Sequence, residues 1–511
     1  MTEQLVELCK DLPGYLGGHL SQSASALAVG LAVSLPLGVL ASRKPKLSEL
    51  ALALAGVVQT VPSLALLALM VPLLGGMIGF APAFLALVLY SVLPILANTV
   101  IGLRGVDPVL TEAARGLGMS DRQMLLRVQL PLAAPVLIAG VRTATVLVVG
   151  TATLATPVGE ATLGNYIFQG LETRDHLSTV FGCVAAAVLA VVLDQLIRLL
   201  EAAARRRSRL LAWVGGVGLL AVVGGGLYRP VARLLAGRAN RAVVASGPFT
   251  EQHVLSEVLA RRLSAAGFAV DQRKGLGESI QFEALRRSQV DCLVDYTGNV
   301  WATLMKRSDF ADRATTLREV ERYLRQEHGI VCLGPLGFED AYALAVTRAD
   351  AERLGLRTVD DLARHARESR GRGGRLRVGG DVQVFHRPEW RRVKDAYGFS
   401  DVETVDMDPT LMYSAVGRSV DAITAYTSDG RIKAYDLVVL EDTRHAFPPY
   451  DAVLLLSPRA AARPGLAEAL RPLLGAIDVE MMRAANGRVD LDRRRPARAA
   501  AELLQRIGRG D

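Results

Sequence analysis

The stretch "LTEAARGLGMSDRQMLLRVQLPL", Leu110–Leu132, is a charged interruption in membrane-like sequence. Leu50 to Leu103 before it carries no Asp, Glu, Lys or Arg, and Pro135 to Pro157 after it carries only Arg142. The interruption itself holds Glu112, Arg115, Arg122 and Arg127. Glu112, Ala113 and Ala114 are good helix formers, whereas Gly116 and Gly118 interrupt. Ser120 stands where it can cap a second helix, from Asp121 to Leu130, closed by Pro131. The pattern predicts a helix–turn–helix. On pattern alone it reads equally as an amphipathic loop lying on a membrane surface.

Apolar stretches of about 20 residues, enough to cross a bilayer, flank it on both sides. They are Leu20–Ser42, two within Leu50–Leu103 parted by a Gly/Pro turn near Leu73–Pro82, Pro135–Pro157, Leu177–Leu193 and Leu210–Tyr228. Arg142 lies near one end of its span, where it can snorkel. The start, "MTEQLVELCKDLPGYL", sets Glu3, Glu7 and Asp11 against Lys10, unlike a cleavable signal peptide. Arg43, Lys44 and Lys46 follow the first span, Arg104 to Arg127 the third, and Arg205, Arg206, Arg207 and Arg209 the fifth. By parity these loops share one side, which the positive-inside rule makes cytoplasmic. The N-terminus and everything after Tyr228 are then expected outside.

The chain has 511 residues, half of them hydrophobic, and a mean hydropathy of +0.27. That balance fits part bilayer, part aqueous, with charges sparse before Arg205 and dense after Arg241. The net charge of +8 forms no basic stripe with interleaved aromatics, so nucleic acid is not an expected partner. Cys9, Cys183, Cys292 and Cys332 show no CxxC spacing, so neither zinc nor a disulfide framework is indicated. A Cys292–Cys332 bridge stays open if that region faces an oxidising compartment. No cofactor or metal site is expected.

From Ala242 onward, short apolar runs alternate with amphipathic patterns. "RAVVAS", "FAVDQRKG" and "VDCLVDY" read as strands, and "TEQHVLSEVLARRLSAAG" and "ESIQFEALRRSQ" as helices, predicting an α/β domain with a parallel sheet. About 270 residues exceeds a single core, so two lobes are expected, with the boundary near Val346 and again near Leu440. Four tyrosines sit beside strand ends: Tyr296 in "VDYTGN", Tyr342 in "LGFEDAYALAV", Tyr426 in "ITAYTSDGRI" and Tyr450 in "HAFPPYDAV". Each alone reads as core packing as readily as ligand contact. Asp340 and Asp429 beside them read as tyrosine-orienting groups or turn caps.

The motifs add a resemblance. Glu112, Ala113, Ala114, Gly118, Leu130 and Pro131 match in spacing the EAA loop of ATP-binding-cassette importer permeases. "QTVPSLALLAL" (Gln59–Leu69), "LYSVLPILANTVIGLRGVDP" (Leu89–Pro108) and "PLAAPVLIAGVRTATV" (Pro131–Val146) resemble the permeases of glycine betaine, carnitine and choline importers. "ATPVGEATLGNYIF" (Ala155–Phe168) departs from that pattern in lacking a glycine-richer turn. The second half resembles the substrate-binding proteins of the same importers, through "FTEQHVLSEVLA", "DYTGN", "LGFEDAYAL", "YTSDGRI" and "LEDTRHAFPPYDAV". The resemblance implies a multi-domain chain: an all-α transmembrane permease of the type I ABC importer kind, then a two-lobed α/β periplasmic-binding-protein domain of type II. The expected limits are 1–204 for the permease, with five spans and a coupling loop over about 104–134, and 205–241 for the sixth span and linker. The binding domain follows at 242–511, its lobes about 242–345 plus 441–511, and 346–440.

The resemblance further implies a cage of Tyr296, Tyr342, Tyr426 and Tyr450 around a quaternary ammonium, with Arg387 placed for a carboxylate. Gly247 stands where betaine-binding relatives carry a lysine, and Asn299 where they carry a threonine. These departures favour choline, carnitine or a bulkier betaine such as ergothioneine over glycine betaine. Partners implied are an ABC ATPase subunit docking on the cytoplasmic EAA loop, a second copy of the chain, the inner membrane, and the small-molecule ligand. No G-x-x-x-x-G-K-[ST] occurs, so ATP must be hydrolysed by a separate subunit, and the chain itself is expected to be no enzyme. Two other classes compete. A membrane-tethered ligand sensor would need a signalling domain after a span. An enzyme acting on quaternary amines would need a nucleophile, phosphate loop or metal cluster, and the sequence offers none of these.

Overall fold

The computed structural model describes residues 2–173, 175–235, 240–307, 309, 311–371, 374–380, 384–385, 388–399, 401–407 and 409–509. The chain divides into two compact units, residues 1–239 with 273–284, and residues 240–272 with 285–511.

The first unit is helical. Among the described residues, four helices are long and apolar enough to cross a membrane: Gln4–Arg43, Phe80–Arg104, Asp121–Val158 and His176–Arg206. Pro45–Thr60 and Ser63–Leu73 form a further apolar pair bent by 101°. This bend is absent from the sequence reading, which placed the only break near Leu73–Pro82. Its cause is Pro62: the ring removes a backbone donor and forces Val61 out of helix to ψ 128°. The last helix, Arg209–Leu235, is apolar over Arg209–Gly225.

Small residues set the helix packing. A Cβ on Gly30 would meet Ser91 Oγ at 1.9 Å, and one on Gly38 would meet Thr99 Cγ2 at 2.5 Å. Between them Ser34 donates to Val92 O at 3.4 Å. Gly30, Ser34 and Gly38 recur every fourth residue, one face of the first helix lying against Phe80–Arg104. Arg142, expected near a span end, has acidic partners. It pairs with Asp194 at 3.1 Å and Glu201 at 2.8 Å on the helix His176–Arg206, because Glu201 is only 7% exposed and needs a cation.

The opening stretch forms the two expected helical pieces, but not the expected stop. Pro108–Gly116 is capped by Asp107, which accepts from Val109 N. Gly118, at φ +79°, lets Met119 N reach Ala114 O at 3.2 Å, the left-handed closure that favours glycine. Ser120 and Gln123 make a reciprocal capping box at the next helix start. From Asp121 the helix then runs through Pro131 into the membrane span. A π turn over Leu125–Gln129 widens the coil there, so the proline ring and its missing N–H fall at the first turn of Leu130–Ala152.

The second unit holds two five-stranded sheets. Strands β1 (Arg241–Ala245), β2 (Ala269–Arg273), β3 (Cys292–Tyr296), β4 (Val331–Glu339) and β10 (Asp451–Leu456) order as β2-β1-β3-β10-β4. Strands β5 (Tyr342–Thr347), β6 (Arg377–Gly380), β7 (Glu403–Asp406), β8 (Ala422–Tyr426) and β9 (Leu437–Val439) order as β7-β6-β8-β5-β9. The sheets are mixed rather than parallel. β1 pairs parallel to β3, and β6 to β7 and β8, as helical crossovers require. β10 and β5 run antiparallel to their neighbours, because each enters its sheet directly from the other one. The chain crosses between sheets between Glu339 and Tyr342, and again between Val439 and Asp451.

Cys292 and Cys332 are free. Cys292 lies opposite Leu456 and Cys332 opposite Leu455, on either side of β10. Two strand spacings of about 4.8 Å separate them, beyond disulfide reach. Burial pushes the Cys332 thiol up to about 12 and the Cys292 thiol higher still, so neither is a ready nucleophile.

Candidate ligand-binding site

The two crossings carry Tyr342 and Tyr450, while Tyr296 and Tyr426 end strands β3 and β8. In the β5–β8 pairing Tyr342 lies opposite Tyr426, so both rings project from one face. Their centroids are 4.8 Å apart and their hydroxyls 3.1 Å apart. Tyr450 meets Tyr342 edge to face at 6.3 Å and 89°. Thr297 fixes the Tyr450 backbone, donating from Oγ1 to Pro449 O at 3.2 Å and accepting from Asp451 N at 3.0 Å. Tyr450 then lies flat against Gly298, where a Cβ would approach its ring to 2.5 Å. Tyr296, at the end of β3, belongs to the same buried cluster as Tyr450. Thus Tyr342, Tyr426 and Tyr450 make direct ring contacts, with Tyr296 in the core beside Tyr450.

Acids lie beneath the rings. Tyr296 donates its hydroxyl to Glu251 Oε1 at 2.5 Å, and Asn486 Nδ2 donates to Glu251 Oε2 at 2.9 Å. Burial holds the Glu251 carboxyl above its ordinary range. Asp340 accepts from Ser428 Oγ at 2.7 Å; burial first, and the charge of Glu251 second, push its carboxyl well up. The Tyr296 hydroxyl is likewise raised, by burial and then by Glu251. Asp429 differs: it accepts from Arg431 N at 2.8 Å and pairs with the Arg431 guanidinium, both side chains largely buried, so it caps its turn. Asn299 donates to Asp295 Oδ1 at 3.4 Å. Arg387 lies outside the described residues. Among the described residues no three His, Cys, Asp or Glu side chains gather as a metal would need.

A clasp joins the two sheets' elements here. Asn486 Nδ2 also donates to Ser428 O at 3.0 Å, and Arg483 Nε donates to Thr427 O at 2.6 Å. Gly430 packs backbone to backbone against helix Val479–Asp490, where a Cβ would meet Gly487 N at 2.4 Å. Gly430→Ala is therefore expected to destabilise the protein by about 1–3 kcal/mol, since backbone cannot yield as a side chain does. Thermal unfolding of the full chain reads this. Gly487→Ala, whose Cβ would meet nothing closer than 3.8 Å, is the control and, lying inside a helix, should hold the transition or raise it slightly.

Three residues escaped the sequence reading. Glu251 and Glu389 each stand in the first turn of a helix, where an acid reads as an ordinary dipole partner; only the fold reveals both as 5% exposed. Leu117, at the turn of the opening stretch, is 80% exposed, an apolar knob beside exposed Glu112 and Ala113 and buried Ala114.

Residues 241–506 match the family model described as the substrate binding domain of ABC-type glycine betaine transport system. Residues 34–206 match the binding-protein-dependent transport system inner membrane component. The ergothioneine transport permease/ergothioneine binding protein EgtU of Helicobacter pylori is 28% identical over 488 residues, covering 92% of this chain and 86% of that one. The choline transport system permease protein OpuBB of Bacillus subtilis is 43% identical over 183 residues, 36% of this chain and 83% of that one. The glycine-betaine-binding protein of Pseudomonas aeruginosa is 32% identical over 264 residues, 50% of this chain and 85% of that one. An apolar helical half of the permease kind and a two-sheet half of the binding-protein kind thus share one polypeptide, and the chain belongs to the ABC importer family of the glycine betaine transport type, as a permease fused to its substrate-binding domain.

Proposed function

We propose that this subunit imports a quaternary ammonium compound of the choline, carnitine and betaine group. The observation that carries the reading is the set of ring contacts joining Tyr342, Tyr426 and Tyr450. A trimethylammonium head has no N–H to donate, so it is recognised by packing and by the negative faces of aromatic rings. Tyr296, Tyr342, Tyr426 and Tyr450 would form the cage, Asp340 would lie beneath it, and Arg387 and Asn299 would meet the ligand's other end. Ergothioneine is the second reading, favoured by the likeness to an ergothioneine permease–binding fusion along 92% of the chain.

Two copies would pair around one path, each docking an ABC ATPase subunit through Glu112, Ala113, Ala114, Gly118, Leu130 and Pro131. The binding half, from Ala242, would stand outside the inner membrane and close its lobes on the cargo before delivering it. Tethering then replaces diffusion of a free binding protein by a high local concentration at the permease.

Calorimetric titration of the detergent-purified full chain with choline, carnitine, glycine betaine and ergothioneine tests the cage. Wild type should bind at least one of them in the micromolar range or tighter. Tyr450→Ala should lose about 30-fold, the worth of one desolvated ring face at about 2 kcal/mol, whereas Tyr450→Phe, which keeps the face, should lose little. Equal losses from both variants would place the affinity in the hydroxyl and remove the cage.

A further inference from the structure

Glu389 is a buried acid with a vacant bond. It opens helix Pro388–Tyr397, is 5% exposed, and lies against the tyrosine cluster, with the Tyr450 hydroxyl 3.5 Å from Oε1. Its other oxygen, Oε2, is buried and has no hydrogen-bond donor among the described residues. An acceptor-only group in that position is costly to leave unpaired, more so when charged. It would be satisfied by a donor arriving from outside the protein, beside the very rings expected to hold an ammonium head.

We infer that Glu389 is a specificity-determining residue that accepts a hydrogen bond from the ligand, so that the cage selects a quaternary ammonium compound bearing its own N–H or O–H donor. The inference rests on the cage reading and narrows it. Glycine betaine carries only acceptors besides its ammonium, so it has nothing to donate to Glu389. Choline and carnitine carry a hydroxyl, and ergothioneine carries N–H groups on its ring. A site built to bond a donor rejects the analogue lacking it far more strongly than an apolar pocket rejects a missing methylene. Glu389 therefore supplies discrimination, while the tyrosines supply the affinity common to all four compounds.

The test is a matrix of affinities measured by calorimetry on the full chain in detergent. Wild type, Glu389→Gln and Glu389→Ala are each titrated with ergothioneine, choline, carnitine and glycine betaine. At least one donor-bearing ligand should bind wild type tenfold or more tighter than glycine betaine. Glu389→Ala should erase that gap by weakening the donor-bearing ligand tenfold or more while glycine betaine holds or improves. Glu389→Gln, which keeps an acceptor oxygen without the charge, should fall between the two. Preference for ergothioneine over the hydroxyl compounds would assign an N–H donor, and the reverse an O–H donor. Equal weakening of every ligand in both variants would make Glu389 structural and overturn the inference, with the cage intact. Wild type that binds none of the four would instead overturn the cage reading, and this inference with it.

Discussion

Leu117→Asp is expected to abolish ATP-driven uptake in proteoliposomes while leaving ligand affinity at the wild-type value. The side chain sits at the turn between two short helices, 80% exposed, and the turn is rigid: Gly118 closes the first helix and the Ser120–Gln123 box opens the second. A leucine held this far into solvent gains nothing for the chain's own fold. Seated in a groove of a partner it would contribute about 1.5–3 kcal/mol. An aspartate there loses that contribution and adds the cost of burying a charge, so docking should weaken at least about 100-fold. Ser120→Ala, which removes one cap bond worth about 1 kcal/mol, should only reduce uptake. The site tyrosines belong to the other compact unit, so calorimetry on the same preparation separates lost coupling from lost binding. Normal transport by Leu117→Asp would mean that the ATPase does not read this turn, and the coupling role of Glu112–Pro131 would fall with it.

The sequence carried the architecture because its signals are local. A 54-residue run without charge, a capping serine three residues before Gln123 and short apolar runs alternating with amphipathic patterns after Ala242 each state their own structure. It misled where one local rule was overridden by another. Pro131 looked like a stop, yet a π turn five residues long admits it and the helix continues; Pro62, inside an unbroken apolar run, proved the sharper break. The ion pairs of Arg142 were not legible because its partners, Asp194 and Glu201, lie more than fifty positions away. The site divides the same way. Tyrosines flanking strand ends are visible in one dimension, but the burial of Glu251 and Glu389 is created by Asn486, Tyr296 and Tyr450 from distant segments. No periodicity in a single helix distinguishes a buried first-turn glutamate from a solvated one.

That burial makes Glu251 the source of a second large effect. Its carboxyl is raised in the folded protein, chiefly by loss of water and against the opposing hydrogen bonds from Ser428, Tyr296 and Asn486. A carboxyl whose folded value lies above its unfolded one stabilises the fold fully at pH below the ordinary carboxylate range. That stabilisation is lost as pH rises through the raised value. Ligand-free protein should therefore become less stable on going from pH 5 to pH 8, by up to about 1.4 kcal/mol per pH unit for this one group within its titration window. Asp340 beside it is pushed well up by the same loss of water and by the charge of Glu251, so the two carboxyls share the slope. Glu251→Gln should reduce it by removing the share of Glu251: the amide oxygen can still accept from Tyr296, while its NH2 faces the Asn486 Nδ2 donor, so the variant is less stable throughout and its pH slope shallower. A cation held by the cage favours the ionised acids, so ligand affinity should rise over the same pH range in wild type and rise less in the variant, which keeps only Asp340. Thermal unfolding across pH, with and without the tightest of the four ligands, reads both slopes at once. Stability that is flat or rising with pH in the ligand-free protein would mean that Glu251 folds as a carboxylate, and the pH-linked part of ligand recognition would disappear.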